Sequence, residues 1–94
     1  MRREAKRSRM ELYATILEVV TRYPEGLGIT RLSYGVGVPV DRLRVMVDAL
    51  CSYGLMGKLA EEGGSLYGIT PRGLEFLETF WKMKGFLATF GEKS

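Results

Sequence analysis

Arg42 and Arg44 stand two positions apart in the run VPVDRLRVMVD, flanked by Asp41 and Val45. A guanidinium can pair bidentately with guanine in the major groove, and one such contact carries about 1–3 kcal/mol of discrimination. Arg42 is therefore the first candidate for reading a base edge and Arg44 for reaching a phosphate, with Asp41 and Val45 meeting the same surface. The alternative for Arg42 is a solvated side chain paired with a Glu or Asp. Thr30, Arg31 and Ser33 could touch a nucleic-acid backbone, which positions a protein without reading sequence, or could be ordinary surface residues. Lys58 could reach a phosphate or the minor groove, although Glu61 and Glu62 nearby would repel one. Arg72 falls near a predicted helix start, where positive charge is slightly unfavourable against the helix dipole. An anionic partner would account for it, and so would a plain surface position.

The opening MRREAKRSRM adds Arg2, Arg3, Lys6 and Arg7. With Arg9 and Glu4 it holds five basic side chains and one acidic, or +4, which leaves nine basic and ten acidic, or −1, for residues 11–94. A basic arm on a nearly neutral body suits a polyanion, whose condensed counterions are released on contact. A solubilising tail is the other reading.

Other chemistries find little support. The chain has no His and a lone Cys51, so it can form neither an internal disulfide nor a zinc site of the Cys/His kind. Cys51 falls beside Leu50 on the inward side of a predicted helix, where a thiol behaves as a small hydrophobe; redox sensing would need an accessible, electropositive setting. No glycine-rich phosphate loop matches, and the carboxylates lack a paired nucleophile and base, so neither an enzyme nor a cofactor is expected. Asn and Gln are absent as well, and depletion of heat-labile amides is one mark of proteins from very hot environments. With 46% hydrophobic and 27% charged residues the composition suits a globular protein. No apolar run approaches the roughly 18 residues a membrane span needs. No signal-peptide pattern follows the basic start, which places the protein in the cytoplasm, with the nucleoid.

These residues must be held by elements, and the punctuation is clear. Leu12, Ile16, Leu17, Val19, Val20 and Tyr23 recur at helical spacing over Arg9 to Tyr23, with Ser8 as N-cap and Pro24 beyond the end. After PEGLG, the segment Ile29 to Tyr34 reads as a short second helix. GVGVP then gives way to a third, Val40 to Tyr53, with Leu43, Val47, Leu50 and Cys51 inward and Gly54 past its end. Leu55 to Leu59 and Ser65 to Ile69 flank AEEGG as a two-stranded hairpin. Thr70 caps, and Pro71 opens, a last helix reaching about Phe90. The expected class is mainly α with a small β-hairpin: one domain over residues 1–94, comprising a basic arm (1–8), a winged helix-turn-helix (9–69) and a long C-terminal helix (70–90). In that fold the third helix enters the major groove.

Along the last helix Phe76, Phe80, Met83, Leu87 and Phe90 are spaced 4, 3, 4, 3, the rhythm of a coiled-coil seam, beside a second stripe of Leu74, Leu77 and Trp81. One stripe can pack on the chain's own core. The other, left exposed, would mark an interface between two copies, unless the helix is buried on both sides within one protomer. Gly85 weakens this helix locally and would let a partner approach closely.

The run ALCSYGLM, then a hairpin, then LYGITPRGLEFLETF resembles a pattern of the archaeal winged-helix DNA-binding proteins, the family of small basic crenarchaeal proteins: Leu-x-x-x-Gly-Leu, wing, Tyr-x-Leu-Thr-x-x-Gly-x-x-Phe-Leu. The likeness spans about Ser8 to Phe90 and is carried by Gly54-Leu55 and by Tyr67 to Leu77. It implies a homodimer joined by antiparallel pairing of the last helices, two winged modules held apart for double-stranded DNA, and a role as regulator or architectural chromatin protein. Two departures stand out: Val38-Pro39 replaces a polar cap before the third helix, and Asp41 and Asp48 accompany Arg42 and Arg44. The nearly neutral body favours a different class, a winged module that makes protein contacts within a larger transcription-related complex, because one fold hosts many functions.

Overall fold

Six elements follow one another in the computed structural model, which describes residues 8–61 and 63–91: α1 (Arg9–Thr21), α2 (Ile29–Val36), α3 (Val40–Ser52), β1 (Met56–Ala60), β2 (Leu66–Ile69) and α4 (Pro71–Ala88). The arm residues Arg2, Arg3, Lys6 and Arg7 lie outside the described residues, as does Glu62.

The core forms around α1, which buries Leu12, Tyr13, Ala14, Ile16, Leu17, Val19 and Val20. So many buried positions leave it few ways to face water, and α2, α4 and β2 pack about it. Its start is closed reciprocally. The Glu11 N–H donates to Ser8 Oγ at 3.1 Å and the Ser8 N–H donates to the Glu11 carboxylate at 3.2 Å, which satisfies two amides that a helix start otherwise leaves unpaired.

The turn between α2 and α3 depends on Gly37, whose φ of 81° lies in the left-handed region. The Ser33 carbonyl accepts from the N–H of Gly37 and of Val38, and the Ser33 hydroxyl donates to the Val38 carbonyl at 2.6 Å. Leu32, Val36, Val38 and Leu43 are buried beneath this turn.

The end of α3 and the start of α4 are built as one joint. Gly54 takes a φ of 79°; its N–H donates to the Cys51 carbonyl and the Leu55 N–H donates back to Leu50, both at 3.0 Å, the paired bonds of a Schellman cap. Thr70 Oγ1 donates to the Gly54 carbonyl at 2.6 Å and accepts the Gly73 N–H at 3.0 Å. A Cβ on Gly73 would collide with the Leu55 carbonyl and the Ile69 side chain. Of the two motifs that carry the family resemblance, Gly54-Leu55 and Tyr67 to Leu77, the first thus meets the Thr70 and Gly73 of the second in a single close contact.

Strands β1 and β2 pair antiparallel, Met56 opposite Ile69 and Lys58 opposite Tyr67, with a bulge between Lys58 and Ala60. Leu27 adds a short bridge: its N–H donates to the Tyr67 carbonyl at 3.0 Å and its carbonyl accepts the Tyr67 N–H at 2.9 Å. No helix among the described residues is long and apolar enough to cross a membrane.

The seam expected on the last helix is divided. Phe80 is 6% exposed and Phe76 is half-buried, both packed in the chain's own core with Leu77. The reason is Gly73: its close approach to Leu55 turns the face of Gly73, Leu77 and Phe80 inward. Phe80 nonetheless lines a surface cleft with Met83 and Leu87, at the border between the core face and the rest of the seam. Met83 and Phe90 remain exposed and Leu87 half-buried. Phe86 joins them, its ring edge-on to Phe90 with centroids 5.1 Å apart. Leu74 and Trp81 are exposed on the opposite flank of α4.

Candidate nucleic-acid interface

Because Leu43, Val47 and Leu50 are almost wholly buried, the 100° step of a helix decides where every other residue of α3 points. Asp41, Val45, Asp48 and Ser52 run down the centre of the outward face, and all are exposed. Arg42 and Arg44 stand on its two flanks. Arg42 lines a cleft against α1 together with Arg9, Leu12, Tyr13, Val45, Met46 and Ala49. Arg44 falls on the side of Cys51 and the wing.

That side is defined by the Cys51 thiol, whose pKa is raised by burial first, then by the Asp48 charge, with Lys58 opposing. Half-buried and held protonated at neutral pH, Cys51 packs against the core. Lys58 is exposed on β1, close enough to α3 for its charge to reach Cys51.

On α2, Thr30 and Arg31 are exposed, and the Arg31 guanidinium lies over the Tyr23 ring, 5.8 Å from its centroid. Ser33 does not join them: its hydroxyl proton is committed to the turn. Arg72 is exposed at the start of α4, and a Cβ on Gly54 would touch its Cδ at 3.6 Å. The ion pair found among the described residues joins Lys84 to Glu11 at 3.1 Å. Arg31, Arg42, Arg44, Lys58 and Arg72 thus keep their charges unneutralised by any ion pair among the described residues, and the pairing of Arg42 with an acid does not occur there.

Neither α2 nor α3 has a side-chain hydrogen bond at its N-cap, which is Gly28 in one and Pro39 in the other, whereas α1 and α4 are closed by Ser8 and Thr70. The positive ends of these two helices carry no side-chain cap, and Asp41 stands in the first turn of α3, where negative charge is favourable. A residue of this surface that the sequence analysis did not single out is Tyr34, 85% exposed on α2. Its signal was present, since Leu32 and Val36 inward force Tyr34 outward.

The model of the winged helix-turn-helix family matches residues 6–87, and the chain belongs to that family. Among solved structures it is similar to Sso10a-2, a DNA-binding protein from Sulfolobus solfataricus, at 27% identity and a TM-score of 0.73 over 90% of each chain. The likeness to small crenarchaeal winged-helix proteins is thus found in structure as well as in motif. The chain also shares its fold with a multiple antibiotic-resistance repressor (MarR) from Listeria monocytogenes 4b F2365, at 17% identity and a TM-score of 0.66 over 88% of this chain and 60% of that one. A MarR-family transcriptional regulator from Silicibacter pomeroyi matches at 22% identity and a TM-score of 0.66, over 89% and 68% respectively. A search of curated protein sequences finds no match.

Proposed function

We propose that this protein is a transcription regulator that binds double-stranded DNA as a homodimer in the cytoplasm, on the nucleoid. The observation that carries the reading is the helix-turn-helix surface itself: exposed Arg42 and Arg44 on either flank of α3, both outside any ion pair among the described residues, and two helix N-termini without side-chain caps. The similarity to a protein described as DNA-binding supports it. Arg42 is assigned to base readout and Arg44 to a phosphate. Thr30 and Arg31 are assigned to the backbone, with Lys58 and Arg72 at the margins. The arm residues Arg2, Arg3, Lys6 and Arg7 add charge, since they join the body through Ser8 and Arg9, and Arg9 shares the cleft with Arg42.

Asp41 and Asp48 at the centre of the face pair with neither Arg42 nor Arg44, but they bring the net charge of the four side chains to zero. Affinity is accordingly modest and strongly weakened by salt, as for contacts made mainly to phosphates. Fluorescence anisotropy with duplex DNA at low and moderate salt tests the reading. Binding is expected at micromolar protein, and Arg42→Ala should weaken it by about 1–3 kcal/mol. No binding at either salt concentration would remove the proposal.

The acidic and apolar line of Asp41, Val45 and Asp48 favours a second reading, a protein-contact module. Co-purification of a stoichiometric protein partner, with DNA affinity unmoved by Arg42→Ala and Arg44→Ala, is the outcome that would select it.

A further inference from the structure

Between α1 and the N-terminal half of α3 lies a cleft of about 330 Å³, at the lower end of the range for small-molecule sites. Leu12, Val45, Met46 and Ala49 supply apolar walls, and Arg9 and Arg42, both exposed, supply two guanidiniums. Neither has an ion pair among the described residues. The third polar group is Tyr13, which lines the same cleft, is 5% exposed, and has a buried hydroxyl with no hydrogen-bond partner. Buried hydroxyls are almost always paired, so an orphan beside a cationic cleft points to an acceptor that belongs there. The Tyr13 ring is held in place edge-on to Tyr53, with centroids 6.3 Å apart, and Met46 packs against the core, whereas Arg9 and Arg42 are long exposed side chains that can rearrange about a guest.

We propose that this cleft is a binding site for a small organic carboxylate with a compact apolar body. The carboxylate accepts hydrogen bonds from the Arg42 and Arg9 guanidiniums and, after a local opening, from the Tyr13 hydroxyl, which solvent does not reach in the unliganded chain, and the body covers Leu12, Met46 and Ala49. An inorganic anion leaves the apolar walls unfilled, and a neutral ligand leaves the two charges unmatched. The assignment does not depend on DNA binding. Only its consequence rests on that reading: a ligand that holds Arg42 in the cleft takes it from the base-reading surface.

The test is a nitrogen-15 NMR titration of the full chain, without DNA, using phenylacetate as the probe and phenylacetamide and inorganic phosphate as controls for body and charge alone. Phenylacetate is expected to give saturable shifts centred on Leu12, Tyr13, Arg42, Met46 and Ala49, and each control to bind at least tenfold more weakly. Tyr13→Phe should lower the affinity roughly tenfold, the scale of one hydrogen bond to a charged group, while leaving the melting temperature unchanged or higher, because it deletes an unpaired buried hydroxyl. Arg42→Gln, at an exposed position that folding does not need, should lower it at least as much. Absence of saturable shifts, equal binding of either control, or affinity unchanged in both variants would overturn the proposal.

Discussion

Gly73 and Gly85 lie twelve residues apart on α4 and meet different surroundings. A methyl group at Gly73 would strike the Leu55 carbonyl and Ile69, whereas at Gly85 nothing stands within 4 Å. Gly73→Ala is therefore expected to destabilise the protein by about 1–3 kcal/mol, the cost of forcing extra volume into a packed contact. Gly85→Ala should stabilise it by about 0.5–1 kcal/mol, since Gly inside a helix is the poorer former. Chemical denaturation of the two variants checks both signs, and a loss at Gly85 would show that a second chain approaches there. On α3 the same scale of reasoning applies to charge. Asp48 sits midway along the outward face with no ion pair among the described residues. Asp48→Asn removes one repulsion from phosphate, and should raise non-specific DNA affinity several-fold at low salt, with the gain shrinking as salt screens it. Unchanged affinity at low salt would mean that this face does not meet DNA.

Among the elements, α1 is tied to α4 by one titratable group. The Glu11 carboxyl is held below the usual glutamate range, chiefly by its hydrogen bond from Lys84 and next by the Ser8 N–H. A carboxylate favoured in the folded state lends stability above its unfolded pKa, and that stability disappears as pH falls through the lowered folded value. Glu11→Gln should therefore lower the melting temperature at neutral pH and make little difference in acid below the lowered folded value. The effect is small, because both side chains remain partly exposed; thermal melts of both proteins at the two pH values check it. Local signals of this kind made the elements legible. Ser8, Gly54, Thr70 and Pro71 each act within a turn of the residue they stop or start, and the helices and hairpin fall close to where they mark them. What was not legible depends on distant partners. The Leu27–Tyr67 bridge joins residues 40 positions apart. The inward rotation of α4 is set by Gly73 against Leu55, and a helical period cannot say which of two neighbouring apolar stripes turns to the core. Of the proposed interface, the flanking positions of Arg42 and Arg44 followed from the Leu43, Val47, Leu50 stripe, whereas the cleft beneath Arg42 required α1 to be in place.

For the whole molecule, the question is what covers the end of α4. Met83, Phe86 and Phe90 are 49%, 63% and 67% exposed, with Leu87 half-buried beside them. Burying such side chains contributes roughly 1.5–3 kcal/mol each, against an association cost of at least 4 kcal/mol. Four such side chains from each of two copies sum to roughly 12–24 kcal/mol. The two left in each copy once both rings are removed sum to roughly 6–12 kcal/mol, within the range of about 4–15 kcal/mol that association costs, so an interface built here should fail when two of its rings are removed. Phe86→Ser with Phe90→Ser is expected to shift the species in sedimentation from a dimer to the 10.6 kDa chain. The helix should persist, because its core-facing Leu77 and Phe80 are untouched. Linking two winged modules makes the second DNA contact intramolecular, and such coupling raises overall affinity by about 10²–10⁴ where geometry allows both to engage. The monomeric variant should then bind DNA at least a hundredfold more weakly while keeping, per chain, about half the salt dependence of the dimer, since each module retains its own phosphate contacts. A wild-type chain that sediments as a monomer at working concentration would remove the interface, and a monomeric variant with undiminished DNA affinity would show that a single module suffices.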